Sequence, residues 1–431
     1  MNGPIRVAAV QLAAHDRSGF VRSLDPVLEA TQRAGSRAQL VVLPEATLPA
    51  YVLGSEPVND EAVEAALERL AQIARSTGAV VVVGAAVRAG AGLQNAAVVI
   101  DADGSIAGRA GKIFLWHFDR RWFARGDRIA PIQTAIGPLG ALVCADGRLP
   151  TIARALVDAG ARALVMPTAW VTSGRDPTAL ENVQADLLAR VRAYENGVPF
   201  VAANKCGAEQ AMVAYCGKSQ IVDRRGEPLA LASQSVAETI FAEIELGAPP
   251  RRALPPQPPP RAAAQTPLRV AISFHPLPPD IDERLEVLDD AFAISPDDDA
   301  RLGALDRTVA LAAAGDDVVL DPAGLVGYRR ANYQLVVWTT DLPAPWAERI
   351  ARARALELRL YVVVFDAGAQ RAFAVDPDGT VLAGTFGEYR LASFTLDPRK
   401  TKETAVAPGT DVGDGIAWVA AVLGRQERGE Q

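Results

Sequence analysis

Cysteine, histidine and lysine are scarce in this chain of 431 residues, and long apolar runs are absent from it. The three cysteines are too few for a disulfide framework in a chain of this size and are typical of a reducing compartment, which predicts a cytoplasmic protein. The longest apolar runs, such as 79–87, fall short of the roughly 18–20 residues that cross a bilayer, so no membrane partner is expected. The first residues show no basic region followed by a long apolar core, so no secretory signal is predicted.

The charge pattern excludes two further classes. The chain carries a formal net charge of −7, and no run of Lys or Arg could neutralise a row of phosphates, so no nucleic acid partner is expected. The three histidines, His15, His117 and His275, lie at no metal-ligand spacing from a cysteine or from one another. We therefore predict no metal site.

Length and composition predict two globular domains. Domains usually run to about 100–250 residues, and a chain with 49% hydrophobic residues can bury a core in each half. The proline-dense stretch 247–267 is typical of a semi-rigid extended linker. On both sides of it, short apolar runs of strand length alternate with helical stretches, which predicts α/β domains at 1–246 and 268–431. The longer predicted helices in the first domain are 20–34, 60–76, 151–159 and 177–195.

The second part repeats the first in shortened form. RVAIS at 269–273 echoes RVAAV at 6–10, and VVLDPAGLVGY at 318–328 aligns without gaps on VVLPEATLPAY at 41–51. The repeat predicts two copies of one fold, the second having lost everything between the counterparts of Tyr51 and Arg162. Because Pro322 then stands opposite Glu45, the second copy is expected to have no active site. Three further pairs follow in the same order: 333–341 with 162–170, 361–368 with 200–207, and 374–382 with 221–229.

Cys144 is the candidate nucleophile. It lies between an apolar strand and a predicted helix that begins near Pro150. Such a turn would present the sulfur to solvent in the positive field of the helix N-terminus and favour the thiolate. A small buried hydrophobe is the alternative for a free cysteine, and it is the interpretation we keep for Cys206 and Cys216.

Glu45 and Lys112 are the candidate acid–base and oxyanion groups. Glu45 follows an apolar strand, where desolvation raises a carboxyl pKa toward neutrality and lets the group take and return a proton. Lys112 offers a compact positive charge for a developing oxyanion. A capping or surface glutamate and a solvated lysine are the alternatives, but lysine is rare enough here to favour a function. The lysines are Lys112, Lys205, Lys218, Lys400 and Lys402.

Three motifs, Pro44-Glu45, Gly111-Lys112 and Cys144-Ala145-Asp146, resemble those of the nitrilase superfamily of carbon–nitrogen hydrolases and follow the same order. The segments GVPFVAAN at 197–204 and IVDRRGEPLA at 221–230 extend the resemblance over about half the chain. The resemblance implies an αββα sandwich and a catalytic triad of Glu45, Lys112 and Cys144. It implies that no cofactor is needed.

The resemblance also implies roles beside the triad. The family commonly carries a second glutamate after the lysine, and Asp119 falls at that position, one methylene shorter. The alternative for Asp119 is pairing with Arg121 or Arg125 on a solvated loop. Arg148 matches an arginine with which carbamoylases bind a substrate carboxylate, and pairing with Asp146 is its alternative.

The Cys-x-Asp pattern with a downstream proline resembles the amidase and carbamoylase branches more than true nitrilases, whose cysteine is typically followed by Trp-Glu. The expected reaction is hydrolysis of a small-molecule amide. Cys144 would attack the carbonyl, Lys112 and the backbone N–H of Ala145 would stabilise the oxyanion, and water activated by Glu45 would release the acid. The residues expected to line the pocket, with core packing as the alternative for each, are Tyr51, Trp116, Trp170 and Val171.

Other functions stay open at this point. An N-carbamoyl amine or amino acid hydrolase, a nitrilase and an acyltransferase use related chemistry, and a catalytically silent regulatory subunit is the non-enzyme alternative. For the second half, our hypothesis is that it takes the place of a partner subunit and pairs with the first half within one chain. The sequence leaves open whether copies of the chain assemble into a homo-oligomer.

Overall fold

The computed structural model describes residues 3–90, 92–172, 180–248, 257–286 and 291–430, and the chain divides into two compact units. Unit 1 comprises Met1–Arg252, Ala407–Thr410 and Asp414–Gln431, and unit 2 comprises Ala253–Val406 and Asp411–Gly413. The predicted second domain, 268–431, differs from unit 2 because 407–410 and 414–431 belong to unit 1. Residues 249–256 of the predicted linker lie outside the described residues, and so do residues 177–179 of a predicted helix.

Strands and helices alternate along most of the chain. The strands are β1 (Ile5–Ala13), β2 (Leu40–Val42), β3 (Val80–Ala89), β4 (Gly92–Ile100), β5 (Ile106–Gly111), β6 (Leu139–Ala141), β7 (Ala163–Pro167), β8 (Phe200–Ala203), β9 (Lys205–Glu209), β10 (Val213–Cys216), β11 (Gln220–Val222), β12 (Pro228–Leu231), β13 (Glu238–Ile244), β14 (Leu268–Ile272), β15 (Ala291–Ile294), β16 (Leu311–Ala314), β17 (Leu335–Thr340), β18 (Tyr361–Asp366), β19 (Arg371–Val375), β20 (Val381–Gly384), β21 (Ala392–Leu396), β22 (Ala405–Ala407) and β23 (Thr410–Asp411). The helices are α1 (Phe20–Gly35), α2 (Asp60–Thr77), α3 (Pro150–Asp158), α4 (Ala189–Asn196), α5 (Ile281–Glu286), α6 (Asp299–Thr308), α7 (Asp316–Val319), α8 (Pro322–Arg330), α9 (Trp346–Leu358) and α10 (Val412–Glu427). No helix among the described residues is both long and apolar enough to cross a membrane.

Unit 1 consists of two sheets packed face to face. The first sheet has the order β10-β9-β1-β2-β3-β4-β5, with β13 also pairing β1, and the second has the order β12-β11-β8-β7-β6. Helices α1 and α2 pack on the first sheet, and α3 and α4 pack on the second. The predicted α/β class and αββα layering are therefore confirmed, and the buried strands between the helices form the core.

Local chemistry explains where the helices begin and end. The side chain of Asn59 accepts a hydrogen bond from the backbone N–H of Ala62 and caps the start of α2, and Gly78 ends that helix with a φ of 69°. Helix α3 begins with Pro150, whose fixed φ suits a first turn. The helices α1, α2 and α3 agree with their predicted bounds within one residue at each end.

Unit 2 also has two sheets. The smaller has the order β15-β14-β21 and the larger the order β16-β17-β18-β19-β20. Their apolar faces share one core, which includes Val270 of β14, Val337 of β17 and Phe394 of β21.

The five-stranded sheets of the two units share strand order and polarity. In unit 1, β6, β7 and β8 are parallel and β11 and β12 follow antiparallel. In unit 2, β16, β17 and β18 are parallel and β19 and β20 follow antiparallel. The register shifts at Ile221/Val222 in one sheet and at Ala374/Val375 in the other, which are aligned positions of the predicted repeat. This agreement supports the hypothesis of a shortened copy, which stays a hypothesis.

The gapless alignment of 318–328 on 41–51 is wrong. Residues 41–42 lie on β2, whereas 318–319 lie on α7 and 322–330 form α8. In unit 2, α7 and α8 follow β16. In unit 1, the turn of Cys144 and α3 follow β6 in the same way. Pro322 is the first residue of α8, and Pro150 is the first residue of α3. Asp316 of α7 is then the counterpart of Cys144. On the hypothesis of a shortened copy, unit 2 therefore keeps a segment at the place of the cysteine turn, which the sequence alignment had treated as lost.

A buried arginine supports this revised correspondence. The Arg192 guanidinium on α4 donates through Nε to the carbonyl of Gly147 at 2.9 Å. The Arg354 guanidinium on α9 donates through Nε to the carbonyl of Val319 at 2.8 Å. Each arginine also pairs with a glutamate three residues later on the same helix.

Candidate active site

Glu45 lies in the turn that follows β2, and its side chain is fully buried. The next residue, Ala46, has a φ of 46°, and its carbonyl accepts a hydrogen bond from Lys205 Nζ at 3.0 Å. The turn packs against Gly84 of β3, where a Cβ would lie 2.3 Å from the Cα of Glu45. Only glycine fits that contact, so the sequence of β3 helps to fix the position of Glu45.

Lys112 follows β5 and is fully buried between two carboxylates. Its Nζ lies 2.7 Å from Glu45 Oε1 and 2.7 Å from Asp119 Oδ2. Asn95 supports the pair from β4, because its carbonyl accepts the Lys112 backbone N–H at 2.8 Å and its Nδ2 donates to Glu45 Oε1 at 2.6 Å. Burial alone would lower the pKa of Lys112, but the charges of Asp119 and Glu45 raise it well above the usual value.

Asp119 faces Lys112 from a short 3-10 helix, His117–Arg121. Its Oδ2 also accepts the backbone N–H of Trp116 at 2.9 Å, which fixes the carboxylate at the start of that helix. The side chain is fully buried. The alternative pairing with Arg121 or Arg125 on a solvated loop is therefore wrong.

Cys144 begins a 3-10 helix, Cys144–Arg148, directly before α3, and its φ is 45°. The strand-to-helix turn was predicted, but the exposed sulfur was not found: Cys144 is 6% exposed. Burial and the charge of Glu45 raise the pKa of the thiol, and Lys112 lowers it by less. Burial and the neighbouring carboxylate therefore favour the neutral thiol over the thiolate.

Asp146 joins the cysteine turn to the segment that follows Lys112. Its Oδ1 accepts the backbone N–H groups of Ile113 at 3.0 Å and Phe114 at 2.7 Å, and its Oδ2 accepts that of Val143 at 3.0 Å. Burial raises its pKa to about 7, against the three hydrogen bonds, which lower it. One side chain therefore connects the turn of Cys144 to the segment that follows Lys112.

Arg148 ends the cysteine turn with its guanidinium 4.5 Å from the ring centroid of Trp116. Its Nε is buried and has no hydrogen-bond acceptor among the described residues. Burial lowers its pKa to about 10. The carboxylate of Asp146 is occupied by backbone N–H groups, so the predicted alternative pairing of Arg148 with Asp146 is wrong.

Aromatic and small apolar side chains surround the turn of Glu45. Tyr51 packs in a buried cluster with Val52, Ala169 and Tyr215, and Val171 lies at its edge. Burial and the charges of Asp119 and Glu45 raise the pKa of Tyr51 well above the usual value. Trp170 is buried one residue beyond Ala169. Tyr51 and Val171 thus pack in the same cluster as Ala46, the residue after Glu45, and Trp170 follows Ala169 of that cluster. Trp116 packs against the guanidinium of Arg148.

Several buried polar atoms in this region lack a hydrogen-bond partner among the described residues. Such atoms usually cost about 1–3 kcal/mol each in the folded state, so a cluster of them marks a place where a polar ligand could bind. No group of three or more His, Cys, Asp or Glu side chains in the described part of the chain is arranged to hold a metal ion. The atoms are Glu45 Oε2, Asn95 Oδ1, Asp119 Oδ1, Arg148 Nε, Thr168 Oγ1, Trp170 Nε1 and Gln184 Oε1.

A second buried network was not predicted from the sequence. The Glu209 carboxylate accepts the Tyr215 hydroxyl at 2.8 Å and the Val52 backbone N–H at 2.6 Å, and Lys205 Nζ lies 3.5 Å from it. Through Lys205 this network reaches Ala46, beside Glu45. The scarcity of lysine was the available signal for Lys205, whereas no signal marked Glu209, Asn95 or the acceptor role of Asp146.

Comparisons with known proteins agree with this geometry. The family model described as carbon–nitrogen hydrolase matches residues 6–248, more than half of the chain. A protein of Pseudomonas protegens named "Hydrolase in pqqF 5'region" is 34% identical over 53% of this chain and 79% of its own length. An (R)-stereoselective amidase of Pseudomonas sp. is 30% identical over 52% of this chain and 80% of its own length.

Solved structures agree with this family assignment. An amidase from Nesterenkonia sp. matches with a TM-score of 0.51 and 27% identity, over 57% of this chain and 92% of that one. A Glu-to-Gln mutant of the same amidase, with a TM-score of 0.50 and 26% identity over 57% and 91%, shows covalent addition of the acetamide moiety of fluoroacetamide at its active-site cysteine. The chain described here is an enzyme that belongs to the carbon–nitrogen hydrolase family, within the nitrilase superfamily.

Proposed function

We propose that unit 1 is an amidase that cleaves a carbon–nitrogen bond through a thioester on Cys144. The observation that carries the proposal is the buried Glu45–Lys112–Asp119 cluster, with both lysine contacts at 2.7 Å, next to a buried thiol. A buried ion cluster costs free energy to desolvate, so its presence beside a nucleophile favours a chemical role. The cysteine adduct in the amidase of Nesterenkonia sp. supports the same role for Cys144.

The reaction begins with a neutral thiol. As the sulfur of Cys144 bonds to the amide carbonyl carbon, its proton passes to Glu45, whose Oε2 has no other partner among the described residues. Lys112 and the backbone N–H of Ala145, in the first turn of a 3-10 helix, stabilise the oxyanion. Glu45 then returns the proton to the nitrogen as the C–N bond breaks, which leaves a thioester and free ammonia or amine.

Hydrolysis of the thioester repeats these steps with water. Glu45 takes a proton from the water as its oxygen bonds to the acyl carbon, and Lys112 again holds the oxyanion. The C–S bond breaks, the sulfur recovers a proton from Glu45, and the carboxylic acid leaves. Asp119 stays paired with Lys112 throughout, which keeps the ammonium between the carboxylates.

Arg148 and Trp116 indicate an anionic substrate. We infer that Arg148 binds a carboxylate of the substrate, because its buried Nε has no acceptor among the described residues and Trp116 covers one face of the guanidinium. A carboxylate on the acyl side fits an amidase, and a carboxylate on the nitrogen side fits an N-carbamoyl amino acid hydrolase. This residue is the one observation that favours the carbamoyl substrate as a second candidate.

Four probes separate these activities. Ammonia release would be measured with propionamide, succinamate, N-carbamoylglycine and propionitrile. We expect hydrolysis of succinamate with kcat/KM above that of propionamide, and loss of all turnover in Cys144→Ala. Cys206→Ala, which alters another buried cysteine, is the matched control and should retain turnover. Full activity of Cys144→Ala would refute the proposal. Faster hydrolysis of N-carbamoylglycine or propionitrile than of either amide would show that the enzyme is a carbamoyl hydrolase or a nitrilase rather than an amidase.

The anion site has a separate test. An arginine–carboxylate contact contributes about 1.5–3 kcal/mol, so Arg148→Gln should raise KM for succinamate by about 10- to 100-fold. KM for propionamide should stay within about twofold of wild type, and the exposed Arg121→Gln is the control. An equal loss with both amides would show that Arg148 maintains the turn rather than binding a carboxylate.

A further inference from the structure

A segment far along the chain contacts the loop that carries Lys112. We call residues 112–129, between β5 and β6, the Lys112 loop, and Thr410 with Asp414–Gln426 the return segment, because the chain returns here to unit 1. Within the Lys112 loop, the only regular element is the 3-10 helix His117–Arg121. A loop of this length rarely holds its side chains in place without support from neighbouring elements.

Trp418 is hydrogen-bonded to the part of the loop that contacts the backbone of Lys112. Its indole Nε1 donates to the carbonyl of Gly126 at 3.0 Å, and the backbone N–H of Gly126 donates to the carbonyl of Lys112 at 2.8 Å. A Cβ at Gly126 would lie 2.2 Å from the carbonyl oxygen of Gly111, so this contact requires glycine. Two hydrogen bonds in series therefore connect Trp418 to the backbone of the buried lysine.

Asp414 and Thr410 support the loop on both sides of Asp119. The Thr410 hydroxyl oxygen accepts the backbone N–H of His117 at 2.6 Å. The Asp414 carboxylate accepts from Arg120 at 2.8 Å and pairs with Arg125. The contacts therefore lie two residues before Asp119 and one and six residues after it.

Two further contacts complete the arrangement. A Cβ at Gly415 would lie 2.7 Å from the ring of Phe114, so α10 approaches the loop as closely as glycine allows. The Gln426 side chain donates to the carbonyl of Ile129 and accepts its backbone N–H, both at 3.0 Å. The return segment therefore contacts the Lys112 loop along its length.

We propose that Asp414 and Trp418 are positioning residues for the amidase reaction: they hold the Lys112 loop so that Lys112 lies between Glu45 and Asp119. This inference rests on the proposed function, in which Lys112 stabilises the oxyanion. It assigns a catalytic requirement to residues that the chain contributes only after unit 2, beyond the 6–248 that match the family. A small displacement of an oxyanion donor reduces the rate steeply while substrate contacts elsewhere are kept.

The test uses the full chain with Trp418→Phe and Asp414→Asn. We expect each to lower kcat for succinamate about tenfold, equal to about 1.4 kcal/mol, with KM within about twofold of wild type. Asp414→Glu keeps the carboxylate and should restore kcat to within about twofold of wild type. Asp25→Asn is the matched control, because Asp25 pairs with Arg69 on the surface of unit 1 at 2.9 Å, and it should leave kcat unchanged.

A second readout separates positioning from stability. Lys112 favours the thiolate of Cys144, so displacing it should slow alkylation of Cys144 by iodoacetamide at pH 8 in both variants. A loosened fold would instead expose the buried thiol and speed alkylation. Unchanged kcat and alkylation, or faster alkylation, would overturn the proposal. If wild type hydrolyses none of the probes, the proposed function fails, and the alkylation rates alone still decide the positioning role.

Discussion

Replacing Lys112 by methionine isolates the role of the buried ammonium. Methionine keeps most of the length of the lysine side chain and removes its charge. In wild type the Nζ lies 2.7 Å from one oxygen of Glu45 and 2.7 Å from one of Asp119, and none of the three side chains is exposed. The variant leaves two carboxylates buried next to each other without a counter-ion. We expect loss of both stability and turnover.

The loss of stability follows from this geometry. Removing one partner of a buried ion pair costs about 3–5 kcal/mol, because the remaining charge is uncompensated, and two remaining charges favour the upper half of that range. The pKa of Lys112 is raised above its usual 10.5, so the ammonium contributes its full stabilisation below about pH 10.5 and loses it only as the pH rises through the raised value. A measurement at neutral pH therefore reports the whole effect. We expect about 4 kcal/mol.

Hydrogen-exchange mass spectrometry in increasing urea measures this change in unit 1 alone, on peptides from β3 to β5. With a denaturant slope near 3 kcal/mol per molar, a loss of about 4 kcal/mol lowers the urea midpoint by more than about 1 M. Arg109→Met is the matched control, because Arg109 lies on β5 and pairs with Glu64 at the surface, 3.6 Å away. That exposed pair should contribute less than about 1 kcal/mol.

A triple variant makes the explanation refutable. Combining Lys112→Met with Glu45→Gln and Asp119→Asn removes both uncompensated charges, so at least half of the lost stability should return while turnover stays absent. If Lys112→Met is as stable as the control, the lysine does not stabilise the cluster. If the triple variant is no more stable than Lys112→Met, lost packing rather than charge explains the change.

Further predictions concern the thiol and the second lysine. Glu45→Gln removes a charge that raises the pKa of Cys144, so alkylation of Cys144 at pH 8 should be faster than in wild type while amide turnover falls at least about 100-fold; slower alkylation would contradict this. In wild type, alkylation of Cys144 should still rise with pH beyond 9, because burial keeps the thiol protonated there; a plateau below pH 9 would contradict it. Lys205→Met should cost about 2–4 kcal/mol and lower kcat through Ala46, whereas Lys402→Met, at an exposed lysine, should cost less than about 1 kcal/mol by urea titration.

Short motifs were enough to identify the site, because its residues follow strand ends that a sequence pattern reveals. Glu45 and Cys144 each come after an apolar strand, Lys112 was marked by its motif and by the scarcity of lysine, and the structure brings Glu45 and Lys112 into contact. The burial of Cys144 was not predicted, since a strand-to-helix turn looks the same in sequence whether it faces solvent or a second sheet. Asn95 and Glu209 were missed because their partners lie 50 and 157 residues away in the chain.

The repeat was predicted from apolar strings, and such strings are ambiguous. VVLDPAGLVGY matches VVLPEATLPAY by composition, but Asp321 caps α8 by accepting the backbone N–H of Ala323, so this stretch forms helices rather than a strand and a turn. Strand order and the contacts of Arg192 and Arg354 instead support a correspondence of α7 and α8 with the turn of Cys144 and α3, which the sequence alignment did not reveal. The place of α10 in unit 1 was likewise unpredicted, because its partners lie about 290 residues earlier in the chain.

The discontinuity of unit 1 has a consequence for biosynthesis. A ribosome adds roughly 5–20 residues per second, so the ~155 residues from Arg252 to Ala407 require about 8–30 s. During that interval a nascent chain already contains Glu45, Lys112 and Cys144 but lacks Asp414 and Trp418. On the proposed role of these two residues, the order of translation itself delays the full catalytic rate until unit 2 has been made.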